Sequence, residues 1–337
     1  MPLIASLENL HEAFLRSARG KSGKMAVVNM RMELDRQLQT LRRQLLEGTF
    51  QFGKYSFFEI TDQKRRLICA ASFPERVAFH AMMRICHPVF EHYQTNDSFA
   101  SRPERGVYKA LEHAQRLSGR YPWFAKLDVR KFFYSIHHDV MMAQLSRLFK
   151  DSLLLQYFQG IINSYEASPK RGLPIGNLTS QYFANHYMAV ADHWAKEHLG
   201  VKGMVRYMDD VLIFADDKAG LMRYLREYAH FVERELRLQW HDPIVNRSKF
   251  GIPFLGYVVY HDTLRLTSRS QHRYRRKLLH LAQTVDQGRM SEREYASRAQ
   301  CLVAFVDKAD SGGYRHHLAE VCEGIYPEEL FPRYPRR

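Results

Sequence analysis

The chain has 337 residues, 45% of them apolar, which is ample for a sizeable core and long enough for two or three subdomains. It carries 50 Lys and Arg against 36 Asp and Glu, a net charge of +14; such self-repulsion points to a polyanionic partner, nucleic acid first, though many basic proteins have none. No apolar run reaches the roughly 18 residues of a membrane span, residues 1–6 lack signal-peptide character, and Cys69, Cys86, Cys301 and Cys322 form no C-x-x-C pair, which argues against a zinc ribbon or disulfide framework and fits reduced thiols in a cytoplasmic protein.

Residues 1–48 read as helical, with Leu34, Leu38, Leu41 and Leu45 on one face and Gly48 as a stop. Residues 50–70 alternate and are rich in aromatics, predicting two strands about a polar turn at Thr61-Asp62-Gln63-Lys64. Helices follow from about 74 and over 104–117, then a strand over 123–127 ends at Asp128. Helices fill much of 138–165, and a Gly/Pro loop over 171–176 leads to a helix over 179–198. Residues 205–214 form a hairpin candidate centred on Asp209-Asp210, a helix spans 218–236, and 254–259 reads as one strand. Residues 268–285 form an amphipathic helix. Tyr274, Leu278, Leu281, Ala282 and Val285 lie on one stripe, and Arg269, Arg273, Arg276, Lys277 and His280 on the other. The basic stripe is either a solvated face or a track for a phosphate backbone.

The chemistry concentrates in Arg206-Tyr207-Met208-Asp209-Asp210-Val211-Leu212-Ile213-Phe214. Two adjacent acids in an apolar hairpin repel each other and resist desolvation, a situation that bound cations relieve. Asp128 ends a second apolar strand and, taken alone, is equally a loop acid or helix cap. Brought together, Asp128 and Asp209 suit a pair of Mg²⁺ ions about 3.5–4 Å apart.

Tyr207-Met208-Asp209-Asp210 resembles the signature of reverse transcriptases, and further blocks resemble theirs in the expected order: Lys64 to Ile68 with Arg76; Ser98 to Pro103 with Gly106; Asp128 to Phe133; Leu173 to Gln181; and Phe254-Leu255-Gly256-Tyr257, a primer-grip hairpin. The resemblance covers roughly residues 50–285. It implies an α+β right-hand polymerase fold, with an N-terminal helical extension (1–48), fingers (49–120, interleaved near 145–175), a ferredoxin-like palm (121–262) and a helical thumb (263–337). It also implies a metal site of Asp128, Asp209, Asp210 and the Val129 carbonyl, holding two Mg²⁺ with Mn²⁺ as a substitute. Phe133 matches the aromatic gate against a 2′-hydroxyl, otherwise a core phenylalanine. Lys64 and Arg66 match the grip on a deoxynucleoside triphosphate, otherwise turn charges. The same resemblance would put Ile175, Gly176 and Gln181 in the nucleotide pocket and Arg102 against template RNA, with the 268–285 stripe expected along the RNA/DNA duplex.

Many reverse transcriptases carry Gln-Gly then Ser-Pro where this chain has Ile175-Gly176 and Ser180-Gln181. That form resembles the enzymes of diversity-generating retroelements, which copy a template RNA with errors at adenines and work with a small basic ring-forming helical protein. The alternatives are a retron or phage-defence reverse transcriptase of ordinary fidelity and a non-catalytic RNA-binding protein on the same scaffold. No lysine over 238–244 offers a general acid, and the resemblance leaves no room for an RNase H or integrase.

Overall fold

The computed structural model describes residues 1–61 and 65–321. Three helices open it: α1 (Leu7–Ala18), α2 (Met25–Met32) and α3 (Leu34–Glu47). Leu38, Leu41 and Leu45 are buried, and α3 ends at Gly48, whose φ of 75° is the left-handed C-cap that glycine adopts without a Cβ penalty. Strands β1 (Tyr55–Thr61) and β2 (Arg65–Ala71) pair as an antiparallel hairpin. A capping box of Ser72 and Glu75, with Pro74 in the first turn, starts α4 (Phe73–Tyr93). Helix α5 (Val107–Arg120) then leads to β3 (Trp123–Asp128).

Helices α6 (Phe132–Ser135), α7 (His138–Leu148), α8 (Ser152–Asn163) and α9 (Leu178–Glu197) separate β3 from β4 (Gly203–Tyr207). Next come β5 (Asp210–Ala215), α10 (Lys218–Glu235) and β6 (Ile244–Arg247). These four strands form one antiparallel sheet in the order β4-β5-β3-β6. Numbered by position along the chain, that order is 2-3-1-4, the ferredoxin-like arrangement expected for a palm. Strands β3 and β5 sit in the middle, and β5 reads as an unbroken apolar run because both its faces are covered. Ala125, Leu127, Val211 and Ile213 face a core shared with α1, α4 and α7–α10. Phe124, Val205, Leu212 and Phe214 face a second core under α5 and the C-terminal elements. Helix α8 packs with the N-terminal region, where the Tyr157 hydroxyl donates to the Gln44 and Leu45 carbonyls at 2.9 and 3.1 Å.

The C-terminal part holds β7 (Ile252–Phe254), β8 (Tyr257–Val259), β9 (Leu264–Leu266), α11 (Ser268–Asp286), α12 (Glu292–Asp307) and α13 (Gly312–Val321). The single strand expected over 254–259 is in fact two. Phe254 pairs with Tyr257 across Leu255 and Gly256, whose φ values are 50° and 89°. Two consecutive positive φ angles make the tight turn of a hairpin, as the primer-grip resemblance implies. No helix among the described residues is long and apolar enough to cross a membrane. Cys69, Cys86 and Cys301 are free thiols.

Candidate active site

The turn between β4 and β5 consists of Met208 and Asp209, closed by the cross-strand pair of Tyr207 and Asp210. Met208 has a φ of 56°, a left-handed conformation unusual for a non-glycine residue, and the surroundings must hold it there. On the neighbouring strand Asp128 lies directly opposite Asp210. The two middle strands thus deliver three carboxylates to one end of the sheet. Burial pushes the Asp209 carboxyl up to about 6, with the Asp210 and Asp128 charges adding to the rise and Arg66 opposing it.

Two residues that sequence reasoning passed over support this end of the sheet. Lys126 lies two residues before Asp128, on the same face of β3, and its Nζ is 3.2 Å from Asp210 Oδ1. Arg206 is fully buried. Its Nε donates to both Asp192 oxygens at 2.9 and 2.7 Å, and its Nη1 donates to Asn185 Oδ1 at 2.7 Å and to the Met208 carbonyl at 3.2 Å. Its Nη2 donates to Ser98 Oγ at 3.0 Å. The backbone of the same residue pairs with the 97–99 segment through Asp97 O and Phe99 N at 2.7 and 2.9 Å. Arg206 therefore ties the Met208-Asp209 turn to α9 and to the loop before α5. A charged residue within Met204-Val205-Arg206-Tyr207 was the available signal, because a cation in a buried strand needs an anion.

The loop over 171–176 is bonded to the α6 region and to β2. Leu173 N donates to the Phe133 carbonyl at 2.7 Å, and Gly172 N donates to Ile136 O at 2.9 Å. Phe133 is half-buried on α6, just after Lys131 in the left-handed region. The Ile175 carbonyl accepts from Cys69 N at 2.8 Å, which fixes β2, the strand of Arg66, against the loop. Gly176 has a φ of 108°, and a Cβ there would meet Ile68 Cγ2 at 2.9 Å. The segment after α10 runs alongside Asp128: His241 N donates to Asp128 O and Arg130 N to Gln239 O, at 2.8 and 2.7 Å. Neither bond uses the Val129 carbonyl.

Other expected site residues lie elsewhere. Arg102 is not presented to nucleic acid: its guanidinium is buried, bound to both Glu91 oxygens and to the Thr95 and Ser98 carbonyls at 2.6–3.0 Å. With those donors satisfied inside the fold, it is a clamp between α4 and the following loop. Gln181 is exposed at the start of α9 and sits with Ser101 and Arg102 around a small cleft. Lys64 lies outside the described residues. On α11, Arg269, Arg276 and Lys277 are exposed, while Arg273 is half-buried with its guanidinium 5.6 Å from the Phe305 ring centroid.

Among the described residues no three His, Cys, Asp or Glu side chains already stand close enough to hold a metal ion. The donor chemistry nonetheless fits a hard divalent cation: the acids are carboxylates only, and burial, with the neighbouring acid charges adding to it, raises Asp209.

Residues 54–259 match the family of reverse transcriptases (RNA-dependent DNA polymerases). The chain belongs to that family. It is 24% identical over 283 residues to Protein YkfC of Escherichia coli, covering 69% of this chain and 72% of that protein. It is 23% identical over 180 residues to the COX1/OXI3 intron 1 protein of Saccharomyces cerevisiae, covering 50% of this chain and 22% of that one. Among solved structures it resembles an apo telomerase from Candida tropicalis truncated from its C-terminal domain, with a TM-score of 0.47 and 10% identity over 63% of this chain and 55% of the telomerase. The chain thus spans about a fifth of the yeast intron protein and about half of the telomerase.

Proposed function

We propose that this reverse transcriptase family member is an RNA-directed DNA polymerase whose centre is Asp128, Asp209 and Asp210. The carrying observation is the delivery of three carboxylates, one of them raised to about 6, to the end of the two middle strands of a ferredoxin-like sheet. Two divalent cations, Mg²⁺ or Mn²⁺, supply an activated primer 3′-hydroxyl and a neutralised pyrophosphate when bound. The three acids and the Val129 carbonyl hold them. Arg66, whose charge already reaches Asp209, attracts the triphosphate. The exposed α11 cations follow the backbone of the template–primer duplex.

Phe133 excludes the 2′-hydroxyl in this reading. Phe133→Ala is expected to weaken selection against ribonucleotides by about one to two decades. Single-nucleotide incorporation with matched ribo- and deoxynucleotides measures this, and an unchanged ratio removes Phe133 from the gate.

The finer reading is a mutagenic enzyme of a diversity-generating retroelement, acting on its template RNA in the cytoplasm with a basic ring-forming partner protein. The Ile175-Gly176 and Ser180-Gln181 string supports it. Ile175 offers no side-chain hydrogen bond to an incoming nucleotide, so positioning relaxes. Ile175→Gln is expected to lower misincorporation by roughly tenfold, the scale of one polar contact. The loop should not move, since its backbone is held through the Ile175 carbonyl. Sequencing the cDNA decides: an unaltered error rate opposite adenine rejects this role for Ile175, and faithful copying by the wild type favours a retron-like enzyme.

A further inference from the structure

We propose that Lys126 is a positioning residue for the metal site: a built-in counter-cation that holds Asp210 in the resting enzyme and must give it up when a divalent cation binds. The proposal rests on the polymerase reading of the three carboxylates.

Lysine is out of place where it stands. Strand β3 reads Trp123-Phe124-Ala125-Lys126-Leu127-Asp128 and occupies the middle of the sheet, with Phe124, Ala125 and Leu127 buried. A cation at such a position carries a desolvation cost unless an anion answers it. Side chains alternate along a strand, so Lys126 and Asp128 share a face, and Lys126 lies opposite Leu212, two residues beyond Asp210. The lysine stem covers the sheet and the ammonium reaches Asp210 Oδ1 at 3.2 Å. Both side chains are mostly covered, 21% and 27% exposed, so the pair is screened less than a surface ion pair.

This placement has two consequences of the same sign. Without a metal, Lys126 offsets part of the repulsion among Asp128, Asp209 and Asp210. With a metal, its positive charge opposes a second cation at Asp210 and competes for the same oxygen. Lys126 therefore stabilises the metal-free state and weakens metal binding. The site then fills preferentially when nucleotide phosphates add their own oxygens, which keeps the resting enzyme poor in bound metal.

The test is Mn²⁺ binding to the full chain without primer or nucleotide, followed by titration calorimetry or by the free-ion paramagnetic resonance signal. Lys126→Met, which keeps the stem and removes the charge, is expected to bind Mn²⁺ roughly tenfold more tightly than the wild type, from loss of one nearby like charge. Lys126→Arg is expected to stay within about twofold, since the charge is retained. The metal-free melting temperature of Lys126→Met falls, and its rise on adding Mn²⁺ exceeds that of the wild type. If Lys126→Met and wild type bind equally while Asp209→Asn weakens binding, the metal site stands and the role of Lys126 is overturned. If neither wild type nor Lys126→Met binds Mn²⁺, the metal reading falls and this proposal falls with it.

Discussion

Asp209→Asn is expected to make the metal-free protein more stable at neutral pH by about 3 kcal/mol, while cutting nucleotide incorporation by on the order of a thousandfold. Burial and the neighbouring Asp210 and Asp128 charges hold the Asp209 carboxyl at about 6, against 3.8 for a free aspartate. A raised carboxyl means that the folded state binds the proton more tightly than the unfolded chain. Stability contributed by this group is therefore present on the acid side and is lost as pH rises from about 4 to about 6. Asparagine cannot ionise, so that downward slope disappears. Asp97, Asp139 and Asp151 shift the other way, and their contribution is lost only as pH falls below the ordinary carboxylate range. The windows do not overlap. Denaturant unfolding in a chelator across pH 4 to 7.5 compares the two proteins. A slope that persists unchanged in Asp209→Asn is incompatible with a strained carboxylate at this turn. A buried carboxylate whose removal stabilises the fold is the expected signature of a site organised for a ligand rather than for stability.

Arg206→Met should be the most destabilising single change near the site, at about 3–5 kcal/mol, because it strands the buried Asp192 carboxylate without its partner. Burial pushes the Asp192 carboxyl up, and the Arg206 guanidinium opposes that rise without cancelling it. Pairing Arg206→Met with Asp192→Leu removes both charges and should recover most of the stability, since apolar replacements of a buried ion pair are often tolerated. Activity should not return with it. Arg206 also donates to the Met208 carbonyl, inside the left-handed turn that aims Asp209, and methionine has no donor for that carbonyl. Chemical unfolding and primer extension on the double variant separate the two roles. Full recovery of both stability and activity would show that the turn holds its shape without Arg206.

How much of this was legible in the sequence depends on the range of each interaction. Local signals carried the elements: the α3 leucines, the 50–70 hairpin and the strand ending at Asp128 all follow from short-period patterning. The left-handed Leu255 hid a two-residue turn, since leucine gives no turn signal. Non-local pairing was less accessible. Nothing in the spacing of Asp128 and Asp209 states that β3 lies beside β5; the motif resemblance supplied it, and the strand order β4-β5-β3-β6 accounts for it. Arg102 was expected at nucleic acid because it falls in the block that resembles a fingers motif, but Glu91 on the preceding helix takes it inward. Lys126 and Arg206 were visible as charges in apolar strands, while their anions, Asp210 and Asp192, sit on other elements that only the folded chain brings near.

The central claim is that Asp128, Asp209 and Asp210 carry out RNA-templated DNA synthesis. Primer extension on a mixed-sequence RNA, with Mg²⁺ and all four deoxynucleotides, tests it most directly when run beside Asp209→Ala. The predicted result is template-dependent DNA from the wild type and none from the folded variant. Undiminished synthesis by Asp209→Ala, or none by the wild type even with a candidate ring-forming partner added, would contradict it.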